Sequence, residues 1–305
     1  VKILSDSLAY LQYLCLRLAG ALYALVPPEK AYNLGASVLT LFYPLLKKRR
    51  RLAIENIIKA GITDDLKEAD RIAKASLGHL GGHICEAFKI GRVINRDNWR
   101  DHVEIDVDPQ TQHLLFEQLD QPIIMLTGHI GVWEAGISIL SLERPMMAVA
   151  RKMNNRFAER FMQTQHFRGN ITLIDKNRGF TPSVVRTWKQ NAAIMAIAMD
   201  QHAGRKTGMR VKFMGREAGT HTSPARLHLS SGAPVLIGAL IRSAPFKYKL
   251  IGGKPINYTP TGNRDNDLKM LLELFNQRLE MIVRSYPEQY LWAHNRWRKE
   301  KHLAT

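Results

Sequence analysis

The segment Gly128-His129-Ile130-Gly131-Val132-Trp133-Glu134 holds the residues best suited to chemistry in this 305-residue chain. A neutral imidazole can take a proton from a hydroxyl near pH 7. A carboxylate that accepts its other N–H fixes the tautomer and stabilises the imidazolium that results. Glycines on both sides of His129 allow a tight turn and close approach of a substrate. His129 and Glu134 stand five residues apart, whereas groups on one helical face are three or four apart. The pair therefore works only with His129 in a turn and Glu134 in the first turn of the helix that follows. Taken alone, a histidine at a helix start reads more readily as a satisfied structural group.

The elements that must position these residues follow from the hydropathy texture. From Gln121 onward, short apolar runs alternate with amphipathic stretches. Residues 122–127, 145–150, 171–174 and 194–199 read as buried strands, with helices over about 132–142, 154–168 and 181–190 between them. Residues 209–214, 235–242 and 246–252 extend the sheet, and a long helix over 265–284 closes the core. This pattern predicts an α/β fold with a largely parallel central sheet flanked by helices. In such sheets functional groups gather beyond the carboxyl ends of strands, which here means after Thr127, Ala150 and Met199. Arg151, Asp200 and Gln201 stand at those places.

Composition narrows the partners. The net charge is +17 and the sequence pI about 10.0, so an anionic partner is expected. Leu8 to Val26 carries a single charge, Arg17, and nears the length needed to cross a bilayer core. After Pro27-Pro28 a second apolar stretch runs from Ala31 to Leu46 and ends in Lys47-Lys48-Arg49-Arg50-Arg51. Apolar segments followed by a cationic run suit a membrane with anionic head groups on the cytoplasmic side. Two buried core helices with a solvated basic turn are the alternative. A nucleic-acid partner is disfavoured, because basic residues interleaved with exposed aromatics are missing. Residues 1–51 are thus expected to form a membrane-associating arm, and 52–305 a helical segment plus the catalytic domain. Cys15 and Cys85 do not form a disulfide framework.

Gly128 to Glu134 resembles the G-H-x-G-N-W-E segment of the late acyltransferases of lipid A biosynthesis, the lauroyl/myristoyl transferase family related to glycerolipid acyltransferases. The resemblance continues through Arg151-Lys-Met-Asn154-Asn155, Asp200-Gln201 with Gly204, Val211-Lys-Phe-Met-Gly215 and Gly232-Ala-Pro-Val235. It ends in Pro287-Glu-Gln-Tyr-Leu-Trp292 and His294-Asn-Arg-Trp-Arg298. It implies transfer of a fatty acyl chain from acyl carrier protein to a hydroxyl of a lipid A precursor, without a cofactor, at the cytoplasmic face of the inner membrane. His129 would be the general base and Glu134 its orienting partner. Arg151 would hold a phosphate or oxyanion, with Asn154 nearby, and Asp200 would orient Arg151 or the acceptor. Gln201 shares the Asp200 position, and Arg226 is a candidate for an anionic head group or a plain helix surface. Val132 departs from the family's asparagine, which leaves open another acceptor, such as a glycerolipid, a glycosylated lipid or an ornithine lipid. Water as acceptor would give a thioesterase, and a basic membrane binder without enzymatic activity is the third alternative.

Two further features compete for attention. His79 and His83 have the i, i+4 offset of a helical metal pair, but no general-base Glu follows the first, so no metal is expected. No G-x-S-x-G elbow offers a serine nucleophile. The Arg296-Trp297-Arg298-Lys299 tail with Lys301 reads as a membrane or carrier-protein contact.

Overall fold

The computed structural model describes residues 2–150, 155, 157, 170–176 and 179–298. Strands β1 (Val103–Val107), β2 (Ile123–Thr127), β3 (Met146–Ala150), β4 (Ile171–Asp175) and β5 (Ile194–Ala198) share one sheet with β8 (Val235–Ala244) and β9 (Lys247–Gly252). The order is β1-β9-β8-β2-β5-β3-β4, and every neighbouring pair is parallel except β8 with β9. Short apolar runs separated by amphipathic helices give this arrangement because both sheet faces must be covered. The α/β class and its largely parallel sheet are as expected from the sequence.

Alternation along the strands divides the core. Ile124, Leu126, Met195, Ile197 and Val235 face the long helix Arg264–Ser285, whose Leu271, Leu272, Phe275 and Leu279 are fully buried. Ile123, Ile194, Ala196, Leu236 and Leu240 face the opposite side, where helix α7 (Trp133–Leu140) packs. Helices lie on both faces, and β2 and β5 sit in the middle.

One expectation needs correction. Residues 208–213 (β6) do not extend the main sheet; they pair with β7 (Arg216–His221) in a separate antiparallel hairpin. Met214 and Gly215 both take positive φ, 50° and 72°, which turns the chain straight back. Arg210 and Lys212 stay exposed while Val211 and Phe213 are buried, so one face only is covered. The strand β1, where the hydropathy texture suggests no element, also joins the sheet edge.

The N-terminal region is helical. Helices α1 (Lys2–Ala24), α2 (Pro28–Phe42), α3 (Lys47–Lys59) and α4 (Leu66–Val93) precede the sheet. Pro28 opens α2 at a position where its missing N–H costs nothing. Leu11, Leu14, Leu18, Leu22 and Leu25 are exposed at spacings of three and four residues, and so form one stripe. Among the described residues, no helix is long and apolar enough to cross a membrane.

Candidate active site

The register of β2 against β5 builds the centre of the site. Thr127 pairs with Ala198, and the amide of Met199 donates to the Thr127 carbonyl at 3.0 Å. Two residues beyond each paired position come His129 and Asp200, which the parallel register therefore brings side by side. His129 Nδ1 donates to Asp200 Oδ1 at 2.8 Å, and the His129 backbone amide donates to Oδ2 at 3.0 Å. A carboxylate only accepts, so the imidazole proton sits on Nδ1 and Nε2 carries a lone pair. Gln201 places its amide nitrogen 3.2 Å from that Nε2.

Asp200 is thus the carboxylate that accepts the His129 ring N–H, a contact that the motif alone assigns to Glu134. The offset of five could not reveal this, because the pairing depends on strand register across 71 residues. Glu134 does lie in the first turn of α7, as the spacing requires. Burial raises its carboxyl above the usual range, and the His129 charge works against that rise. For His129, burial disfavours the imidazolium, but the Asp200 charge and hydrogen bond outweigh it, with a smaller push from Glu134. The imidazole consequently titrates above its ordinary value. Asp200 is held at about 2: burial alone would raise it, and the His129 charge, the two His129 hydrogen bonds and Arg296 overcome that.

The turn that carries His129 is fixed from three directions. Gly131 has φ 61°, and a Cβ there would lie 2.0 Å from the Leu240 carbonyl oxygen, so only glycine fits. The Gly131 amide donates to the Gln289 carbonyl at 3.0 Å, and the Val132 amide to that of Leu240 at 2.8 Å. The Leu291 amide returns a bond to the His129 carbonyl at 2.9 Å. The Pro287-to-Trp292 segment therefore serves as a splint for the His129 turn. Tyr290, fully enclosed, also places its phenol against Asp200.

A set of nitrogen groups borders the dyad. The His202 amide donates to His294 Nε2 at 3.1 Å, and Arg296 donates to Thr220 Oγ1 at 2.7 Å and to the Gly219 carbonyl. His221 is driven down to about 4 by burial and by Lys176, Arg296 and His202. Arg296 is 2% exposed and Trp297 packs on Phe213, so these two residues are internal braces; the expected partner-binding tail does not include them. Lys299 and Lys301 lie outside the described residues, as do Arg151, Asn154 and most of the helix expected over 154–168. Arg226 is exposed on the helix Ser223–Ser231, with no side-chain hydrogen bond or ion pair to the His129 group. His79 and His83, set aside as a metal decoy, face the same turn: His83 lies tilted against Trp133 with ring centres 4.0 Å apart, and Trp133 meets the His129 ring edge-on at 5.2 Å. No group of three or more His, Cys, Asp or Glu among the described residues is arranged to hold a metal.

Beside Thr127 and Trp133 opens an apolar cavity between the sheet and α7, lined by Met125, Gly136, Ile137, Leu140 and Leu240 among others. The site thus combines an imidazole hydrogen-bonded to a buried carboxylate with an apolar slot next to it.

Comparison with known proteins shows what the chain is similar to. Residues 2–299 match the family model described as bacterial lipid A biosynthesis acyltransferase. The chain is 26% identical over 273 residues to the lipid A biosynthesis palmitoleoyltransferase of Escherichia coli (strain K12), covering 87% of this chain and 84% of that protein. The same figures hold for a lipid A biosynthesis acyltransferase of Shigella flexneri.

Proposed function

Because the chain belongs to the bacterial lipid A biosynthesis acyltransferases, we propose that it moves a fatty acyl chain from acyl carrier protein to a hydroxyl of a lipid A precursor, with His129 as general base. The observation that carries this reading is the His129–Asp200 pair, with Nε2 left as the proton acceptor. The acceptor hydroxyl displaces the Gln201 amide from Nε2 and gives up its proton there. Its oxygen attacks the thioester carbonyl, and the tetrahedral intermediate collapses with loss of the thiolate. The imidazolium, held by Asp200 and favoured by Glu134, returns the proton to that sulfur. No acyl-enzyme is required. The apolar cavity beside Trp133 supports a place there for the start of the acyl chain, since the Trp133 ring stands 5.2 Å from that of His129.

Membrane association rests on the stripe Leu11, Leu14, Leu18, Leu22 and Leu25 together with exposed Leu34, Val38 and Leu41. The exposed cations Lys47 and Lys48 adjoin it. A helix with such a face lies in the interface plane, with lysines at the head groups. This supports a place at the cytoplasmic face of the inner membrane, where the carrier protein and the lipid meet. An acidic carrier protein also suits the +17 charge.

Transfer from a panel of acyl carrier protein thioesters to purified lipid A precursor tests the reading. His129→Ala is expected to lower acyl transfer by about 100-fold or more while leaving vesicle binding unchanged. Transfer that survives in His129→Ala, or hydrolysis that the lipid acceptor does not redirect, overturns it.

A further inference from the structure

His79 has no place in the proton-transfer scheme, yet it is buried on α4 with both ring nitrogens engaged. Its Nε2 lies 2.9 Å from the Gly131 carbonyl oxygen, and its Nδ1 lies 3.0 Å from the Tyr32 hydroxyl. A carbonyl only accepts, so the His79 proton is on Nε2 and donates to Gly131. Nδ1 must then accept, and the Tyr32 hydroxyl donates. The Gly131 carbonyl thereby fixes the tautomer, and the phenol of α2, donating to Nδ1, holds the ring in the plane that points Nε2 at the His129 turn.

Tyr32 is itself held on every side. The Arg242 guanidinium lies 3.5 Å from the centre of its ring, and Glu86 takes the Arg242 Nε at 3.0 Å and the Tyr248 hydroxyl at 2.7 Å. Beneath it, α2 and α4 touch backbone to backbone. A Cβ on Gly35 would lie 2.2 Å from the Gly81 carbonyl oxygen, and one on Gly82 would lie 2.6 Å from the Tyr32 ring. The small residues thus set the depth at which Tyr32 meets His79. Burial keeps His79 from charging, with Arg242 acting in the same sense and the Gly131 bond opposing, so it titrates only at about 4 and the donor persists through neutral pH.

We propose that His79 is a positioning residue for acyl transfer, holding the Gly131 carbonyl and through it the His129 turn, and that Tyr32 of the N-terminal arm holds the His79 ring in the plane that aims Nε2 at that carbonyl. The arm whose outer face is apolar therefore reaches the base through two hydrogen bonds. This rests on the reading of His129 as the base. A turn held by one bond fewer lets His129 sample positions off the attack geometry, which lowers turnover without weakening substrate binding.

The test uses the full chain, lipid A precursor, acyl carrier protein thioester, and the variants His79→Leu, His79→Gln and Tyr32→Phe, with His129→Ala as control. His79→Leu is expected to lower kcat roughly 10- to 100-fold with KM within about twofold. The Gln side-chain amide can donate to Gly131, so His79→Gln is expected to recover most of the loss. Tyr32→Phe is expected to lower kcat a few-fold, because the ring loses one of the two hydrogen bonds that fix its plane. In ¹⁵N spectra the Nε2–H form should persist while the Nδ1 signal moves to that of an unbonded ring nitrogen. Equal Tm values across the set tie the losses to positioning. If His79→Leu lowers Tm, His79→Gln at native Tm decides. Full kcat in His79→Leu, no recovery in His79→Gln, or an unmoved Nδ1 signal in Tyr32→Phe overturns the inference. An active His129→Ala instead overturns the base assignment.

Discussion

Replacing Asp200 by Asn separates the two roles of this carboxylate. Asp200 accepts two N–H groups, from the His129 ring and from the His129 backbone, at 2.8 and 3.0 Å. A carboxamide has a single acceptor oxygen. If that oxygen serves the backbone amide, the NH₂ faces Nδ1 and drives the imidazole proton to Nε2, where it blocks the base. If it serves Nδ1, a buried N–H meets an N–H, at a cost of about 1–3 kcal/mol. Either way the developing imidazolium also loses its counter-charge. By analogy with the loss of a triad carboxylate in serine proteases, kcat should fall about 10³- to 10⁴-fold. The pH profile gives the sign independently. In the native protein Asp200 lifts the His129 pKa above its ordinary value against burial, so the neutral base is lost as pH falls through that raised value. In Asp200→Asn burial remains and the charge is gone, so the acid limb of residual kcat/KM moves to lower pH. The assay is acyl transfer across about pH 5 to 9 with circular dichroism to check folding. A folded Asp200→Asn protein with near-native rate and an unmoved acid limb would refute the assignment of Asp200 as the orienting carboxylate.

Glu134→Gln should also move the acid limb downward, but less than Asp200→Asn, because Glu134 is the smallest of the influences that raise His129; the same pH series measures it. Replacing exposed Leu14 and Leu18 together by Glu should weaken binding to anionic vesicles about 100-fold or more with unchanged Tm, since each Leu contributes about 1.5–3 kcal/mol when buried in an apolar phase. Vesicle flotation reads the outcome, and undiminished binding would count against the arm as the membrane contact. Gly136→Val should shift the preferred acyl donor to shorter chains, because Gly136 lines the cavity and its Cβ would already stand 3.4 Å from the Leu240 Cβ. Competition among donors of different length, followed by mass spectrometry of the product, tests it.

Much of the frame was legible in the chain. The apolar runs ending at Thr127, Ala150 and Ala198 set the strands, since residues that must be buried on both faces leave a continuous apolar signal. The glycines around His129 marked the turn, and Gly131 shows why: its positive φ and the Leu240 oxygen admit no side chain. The sequence likewise showed that Glu134 belongs to the first turn of the next helix. What pairs with His129 was decided only by tertiary structure, because the partner is set by the β2–β5 register and local spacing carries no record of it. The same holds for the hairpin β6–β7, whose two positive-φ residues fold it away from the sheet it could have joined. His79 is the clearest case. In the sequence it is one half of an i, i+4 pair that resembles a metal site. In the fold its neighbours come from α2 and from the His129 turn, 47 and 52 residues away, and those contacts turn it from a decoy into a support of the site.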